Sequence, residues 1–118
     1  MTSFEPLDVV AVAYPYVERA ATRRRPAVVI ALPPSGIRRP LLWVMMITSA
    51  DNRRWPGDVE IGDLAAAGLP MPSVIRPAKI AVIEQRQIEK KRHLAPPDAE
   101  LLRRALETML HPLLAPSP

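Results

Sequence analysis

The sequence predicts a mostly β fold: a small, strongly bent sheet or partial barrel with one helix packed against it. Two observations carry that expectation. Through residue 84 the apolar residues fall in short runs rich in branched and aromatic side chains, each bounded by proline, glycine or charge, which is the pattern of strands and turns. From Pro97 onward the apolar spacing changes to steps of three and four, the period of a helix face. At 118 residues the chain fits one compact domain spanning 1–118, large enough to bury a core of its own.

Taken in order, "DVVAVAY" (Asp8 to Tyr14), "PAVVIAL" (Pro26 to Leu32) and "LLWVMMIT" (Leu41 to Thr48) are predicted strands because each concentrates residues that fit a pleated, half-buried surface. Trp43, inside the third run, is assigned to the core, and Met45 and Met46 to its filling. "DVEI" (Asp58 to Ile61), "SVIRP" (Ser73 to Pro77) and "KIAVIE" (Lys79 to Glu84) alternate more clearly and are expected as half-exposed strands of the same sheet system. "GDLAAAGLP" predicts one or two helical turns that stop at Gly68 and Pro70. In the closing helix Leu102, Leu106, Met109 and Leu113 form the apolar stripe, widened by Leu101, Ala105 and Leu110. Pro96, Pro97 and Asp98 mark its start, Asp98 and Glu100 suit its positive end, and Pro112 interrupts its last turn. Residues 115–118 are expected to fray. The fifteen prolines lie between the apolar runs, so they punctuate strands and do not form a linker.

Sixteen Lys and Arg against twelve Asp and Glu give a net charge of +4, a balance that favours a polyanionic partner. Thirteen of the sixteen cations are arginine, whose planar guanidinium grips a phosphate through two parallel hydrogen bonds. Every dense basic group falls in an expected connection: Arg19 to Arg25 in the first, Arg38 and Arg39 in the second, Arg53 and Arg54 in the third, and Arg86 to Arg92 after the last strand. Alternate loops of a barrel-like sheet emerge at one end, so Arg23, Arg24 and Arg25 are expected to share an electropositive mouth with Arg53 and Arg54. Tyr14, Tyr16 and Trp55 lie near the same loops, where they suit stacking on unpaired bases.

Several chemistries are excluded or disfavoured. Without cysteine there is no disulfide, thiolate metal site or thiol nucleophile, and a cytosolic address fits. The N-terminus has no basic region, and no apolar run approaches the roughly 20 residues that span a bilayer. His93 and His111 are read as solvated bystanders, a protein-held zinc site is not expected, and no cofactor is implied. The glycines are too sparse for a phosphate-cradling loop. What remains is arginine with hydroxyls. If the second and third strands pair antiparallel, Arg25 at the start of one lies beside Thr48 at the end of the other. An arginine and a hydroxyl side by side suit a phosphodiester whose charge builds on the non-bridging oxygens during reaction. Asp58, in "WPGDVEI", is equally suited to cap a turn or to orient an arginine.

Together "LDVVAVAYPYVERAATRRRPAVVIA", "VMMITS", "WPGDVEI", "AGLPMPSVIRPAKIAVIE" and the closing helix resemble the MazF/PemK family of toxin endoribonucleases over about residues 5 to 111. The resemblance implies an SH3-like barrel, a homodimer, and metal-independent, sequence-selective cleavage of single-stranded RNA by 2′-OH attack, leaving a 2′,3′-cyclic phosphate and a 5′-hydroxyl. It also implies a cognate antitoxin that lays an acidic tail across the site. The family's essential arginine before proline matches Arg25, as phosphate clamp and proton donor or acceptor. Its strand-ending threonine matches Thr48, and the arginine of "VIRP" matches Arg76, which some members use in catalysis. Tyr16, Arg23, Arg24, Ser49, Arg53, Arg54 and Trp55 would then contact the RNA. Two positions depart from the family pattern: Leu7 stands where glycine usually precedes the first-strand aspartate, and Ala78 stands where some members carry an acid. Two alternatives stay open at this level, a non-catalytic toxin or RNA binder of the same fold, and a protein whose basic rim serves only an acidic partner.

Overall fold

A computed structural model of the chain describes residues 3–13, 24–34, 41–85 and 88–116. Its elements are β1 (Asp8–Ala13), β2 (Arg24–Ala31), β3 (Leu41–Ser49), β4 (Val59–Glu60), α1 (Leu64–Ala67), β5 (Ser73–Glu84), β6 (Ile88–His93) and α2 (Pro96–Leu114). The six strands form one antiparallel sheet in the order β4-β5-β3-β2-β1-β6. The fold is the expected mostly β class with a C-terminal helix, close to an SH3-like barrel. Its sheet stays open, with β4 and β6 as edges. It bends far enough that α1, just after β4 at one edge, packs against β6 at the other.

Alternation along the strands divides the apolar residues between the two faces. The concave core joins Val9, Val28, Met45, Ile47 and Ile75 to Leu94, Ala99 and Leu102, so it carries the N-terminal half of α2 on the sheet. The opposite face gathers Val10, Val12, Ala27, Val29, Val44 and Met46. Met45 and Met46 are both buried, one in each cluster. At its start α2 is stapled by buried Asp98, whose carboxylate accepts the N–H groups of Gly62 at 2.8 Å and Asp63 at 2.9 Å. Asp63 in turn caps α1 by accepting from Ala66 N, and Gly68 ends that helix at φ 72°, a conformation that favours glycine.

The structure corrects four sequence expectations. Residues 73–84 are one strand, not two: the register against β3 jumps between Met46↔Arg76 and Met45↔Ile80, so Pro77, whose ring provides no ladder N–H, sits in a bulge. The basic stretch after residue 84 is not all connection, because Ile88–His93 is the edge strand β6. Trp43 is 44% exposed and not core: the concave cluster takes in Met45 and Ile47 from β3 but does not reach it. His93 is not merely solvated: the pairing Asp8↔His93 brings its Nδ1 to 2.9 Å from the buried Asp8 carboxylate. The helix also continues through Pro112 to Leu114, and Ala115 N closes it on His111 O at 2.8 Å; His111 is exposed. Tyr14, Tyr16, Arg19 to Arg23, Arg38, Arg39 and Arg86 lie outside the described residues.

Leu7 has φ 77°, and no other non-glycine among the described residues has a positive φ. Its backbone ties three elements: Leu7 N donates to Val29 O at 2.7 Å, and its carbonyl accepts from Leu94 N at 3.1 Å. The side chain offsets part of the conformational cost by packing against the concave core. Both Leu7→Gly and Leu7→Ala lose that packing, but only glycine relieves the backbone. In chemical denaturation Leu7→Gly should therefore be the more stable of the two by about 1 kcal/mol, the reverse of the usual alanine-over-glycine order. Equal or inverted stabilities would show that this backbone carries no strain.

Candidate functional site

The site is set by the register of the two central strands. Ala27 of β2 faces Met46 of β3. Arg25 lies two residues beyond Ala27 and Thr48 two residues beyond Met46, so this register directs both to the same end of the sheet. On β5, Arg76 pairs with Met46 and Val74 with Thr48. Thr48 and Arg76 thus stand on the same face of the sheet, one row apart.

Beyond this end of the sheet lies a cavity of about 630 Å³. Its polar lining comes from Arg24, Arg25, Thr48, Ser49, Asn52 and Ser73. Its apolar lining is Pro26, Ile47 and the segment Leu69 to Met71, which follows α1. Two arginines, three hydroxyls and one amide thus share a space with an apolar wall. Such a space offers hydrogen bonds and positive charge to a phosphate beside a surface for a flat, weakly polar ring. Arg25 and Arg24 are exposed, and Arg24 Nε contacts Glu89 of β6 at 2.5 Å.

The third connection, residues 50–58, is fixed by hydrogen bonds at both ends. Ala50 N donates to Pro72 O at 2.9 Å, and Asn52 N to Ser49 O at 3.1 Å. Asp51 N donates to the Ser49 hydroxyl at 3.1 Å, so that side chain shapes the turn as well as lining the cavity. Asn52 reaches back one strand end: its Nδ2 donates to Thr48 Oγ1 at 2.6 Å. Sequence reasoning missed Asn52, because an asparagine in a polar loop carries no signal until the turn folds it onto its neighbour.

At the far end Asp58 and Arg76 make a buried pair, their side chains 2% and 9% exposed. Arg76 donates from Nε to Asp58 Oδ1 at 3.1 Å and from Nη2 to Oδ2 at 2.9 Å, the two-point grip that a planar guanidinium allows. Nη2 also donates to the Arg53 carbonyl at 2.8 Å, and the guanidinium carbon stands 4.2 Å from the Trp55 ring centroid, a cation–π contact. Asp58 both orients the arginine and caps the turn, accepting Trp55 N at 2.9 Å. Burial pushes the Asp58 carboxyl upward, but hydrogen bonds from Arg76 and Trp55 N and the charges of Arg76 and Arg54 outweigh it and hold it below its ordinary 3.8. The same hydrogen bond raises Arg76 further above its own range. Arg76 is not among the residues lining the cavity, and neither are Arg53, Arg54 and Trp55. Arg54 pairs with Glu60 at 3.4 Å. Trp55 presents about two fifths of its surface to solvent, 40%.

Because the folded-state pKa of Asp58 is lowered, its stabilisation is complete above pH 3.8 and disappears as pH falls through the folded value. Thermal unfolding should therefore show Asp58→Asn melting below wild type at pH 7 by more than about 5 °C, with the difference shrinking toward about pH 2. A constant difference across that range would mean the carboxylate's charge is not what holds the loop.

Residues 5–110 match a family described as the PemK-like, MazF-like toxin of type II toxin-antitoxin systems. Among solved structures the fold is similar to an endoribonuclease in complex with its cognate antitoxin from a mycobacterial species, with a TM-score of 0.69 over 98% of this chain and 100% of that chain. Identity to that protein is 14%, so the likeness is one of fold. No curated protein matches the chain. With the family match spanning nearly all of the sequence, the chain belongs to the PemK-like, MazF-like toxin family of type II toxin-antitoxin systems.

Proposed function

We propose that the protein is a metal-independent, sequence-selective endoribonuclease toxin that cleaves single-stranded RNA. The carrying observation is that Arg25 and Thr48 line the same cavity from adjacent strands. In the proposed reaction the substrate's 2′-oxygen attacks the adjacent phosphorus and loses its proton, while the P–O5′ bond breaks and O5′ gains one. The products are a 2′,3′-cyclic phosphate and a 5′-hydroxyl. RNA supplies the nucleophile, so the protein's task is to hold the phosphate in line and to stabilise charge on its non-bridging oxygens. Arg25 acts as the clamp, since a guanidinium stays charged and offers two N–H groups to one phosphate. Thr48 adds a directed hydroxyl donor.

Arg24, Ser49 and the Trp55 ring serve RNA contact in this reading, as do Tyr16 and Arg23 from the first connection. For Arg53 and Arg54 the support is their position on the loop behind Thr48. Arg76 has a positioning role here: its guanidinium is engaged by Asp58 and the Arg53 carbonyl, and so holds that loop in place. The antitoxin is read as an acidic chain competing for the Arg24 and Arg25 mouth. The homodimer rests on Trp43 and Val82, which pair directly across β3 and β5 yet are 44% and 54% exposed, with Ile80 exposed beside them. No helix among the described residues is long and apolar enough to cross a membrane, and action on cellular RNA implies a cytoplasmic site.

Incubation of purified protein with mixed-sequence RNA in EDTA should give fragments whose 5′ ends accept phosphate from a polynucleotide kinase without prior phosphatase treatment. Arg25→Ala and Thr48→Val should each lower kcat by about 10²-fold or more with little change in melting temperature, and Arg25→Lys should not restore it. RNA left intact by wild type across varied sequences would refute the enzyme and favour a binding toxin. Val82→Glu should shift light-scattering mass from dimer to monomer; an unchanged mass would remove this face from the dimer contact.

A further inference from the structure

We infer that Asn52 is a positioning residue for the reaction, aiming the Thr48 hydroxyl at the phosphate; this rests on the endoribonuclease reading above. Threonine's hydroxyl carries one hydrogen and two lone pairs and rotates freely about its C–O bond. In the structure Asn52 Nδ2 donates to Thr48 Oγ1 at 2.6 Å, filling one lone pair from the side of the loop. With that side occupied by an N–H donor, the hydroxyl hydrogen turns away from Asn52. The open direction is the cavity that both residues line. A hydroxyl that accepts one hydrogen bond is also a stronger donor in the next, because the two bonds polarise each other. The bond therefore orients and sharpens the group assigned to the charge that develops on the non-bridging oxygen.

Asn52 is held where this requires. Its backbone N–H closes a turn on Ser49 O at 3.1 Å, the next hydrogen bond in that turn runs from Asp51 N to the Ser49 hydroxyl, and Ala50 is anchored to Pro72 across the loop. The side chain is exposed, so its bond to Thr48 contributes little to folding; water would satisfy both groups in its absence. Orientation is what the bond adds.

The test is a kinetic series on the full chain with an RNA oligonucleotide that wild type cleaves. Asn52→Ala should lower kcat about tenfold, with KM within about twofold and melting temperature unchanged. Asn52→Asp keeps the shape but only accepts, so it draws the Thr48 hydrogen toward itself. It should lower kcat further than alanine does. In a Thr48→Val background Asn52→Ala should change kcat no further, which a merely structural contribution to the loop would not produce. Full activity in Asn52→Ala, activity in Asn52→Asp equal to wild type, or additive losses in the double variant would each overturn the assignment while leaving the endoribonuclease reading intact. A wild-type protein that cleaves no RNA would instead sink that reading, and this inference with it.

Discussion

The antiparallel register between β2 and β3 is the constraint on which the site depends. Ala27 opposite Met46 is a packing decision, made by burying Val28 and Met45 on one face and Ala27, Val29, Val44 and Met46 on the other. A slip of one residue would turn both sets to the wrong side, so the register is held by the core. The same choice directs Arg25 and Thr48, each two residues beyond the pair of Ala27 and Met46, to one end of the sheet, where both line the cavity. Two side chains separated by more than twenty positions in sequence are thus aligned by apolar contacts that neither of them makes.

A second layer of order comes from the loop after β3. Its polar groups are satisfied at each end, by Pro72 and Ser49 near the strand and by Asp58 and Arg76 near β4. Arg76 fixes the loop from beneath through the Arg53 carbonyl and the Trp55 ring. A buried guanidinium and its carboxylate are costly to take out of water, and here each is held by the other and by the backbone of the loop. Here the geometry in question is that of the segment from Thr48 to Trp55, one wall of the cavity and the loop behind it. Asp98 plays the corresponding part on the other side, binding α2 to the turn that leads through α1 to the apolar wall of Leu69 to Met71.

How much of this could be read from the chain follows from what each feature depends on. β1, β2 and β3 are legible because here they bury apolar residues on both faces, which makes them short continuous apolar runs, and α2 is legible because its stripe repeats at helical spacing. β6 is not, because an edge strand needs only its backbone pairing and is protected by charge; "IEKKRH" therefore reads as a loop. The break at Pro77 looks like a strand boundary although the sheet absorbs it as a bulge. Arg25 and Thr48 are legible since strand ends and antiparallel pairing suffice to bring them together. The Asp58 and Arg76 pair is half legible, as an aspartate in a turn and an arginine in a strand. The Asn52 contact and the Asp8 and His93 contact require folded loops and edge pairing, and neither leaves a local pattern. Leu7 looks like an ordinary apolar residue before a strand, and only its φ of 77° shows the strained backbone it occupies.

The central claim is that one phosphate sits between the guanidinium of Arg25 and the hydroxyl of Thr48. A crystal structure of the protein bound to an oligonucleotide of its cleaved sequence, with a 2′-deoxy sugar at the cleavage position so that no nucleophile is present, tests it most directly. The account predicts the scissile phosphate within hydrogen-bonding distance of both side chains, with the neighbouring base against Leu69 to Met71. A scissile phosphate held elsewhere on the surface, with Arg25 and Thr48 contacting only solvent, would contradict it.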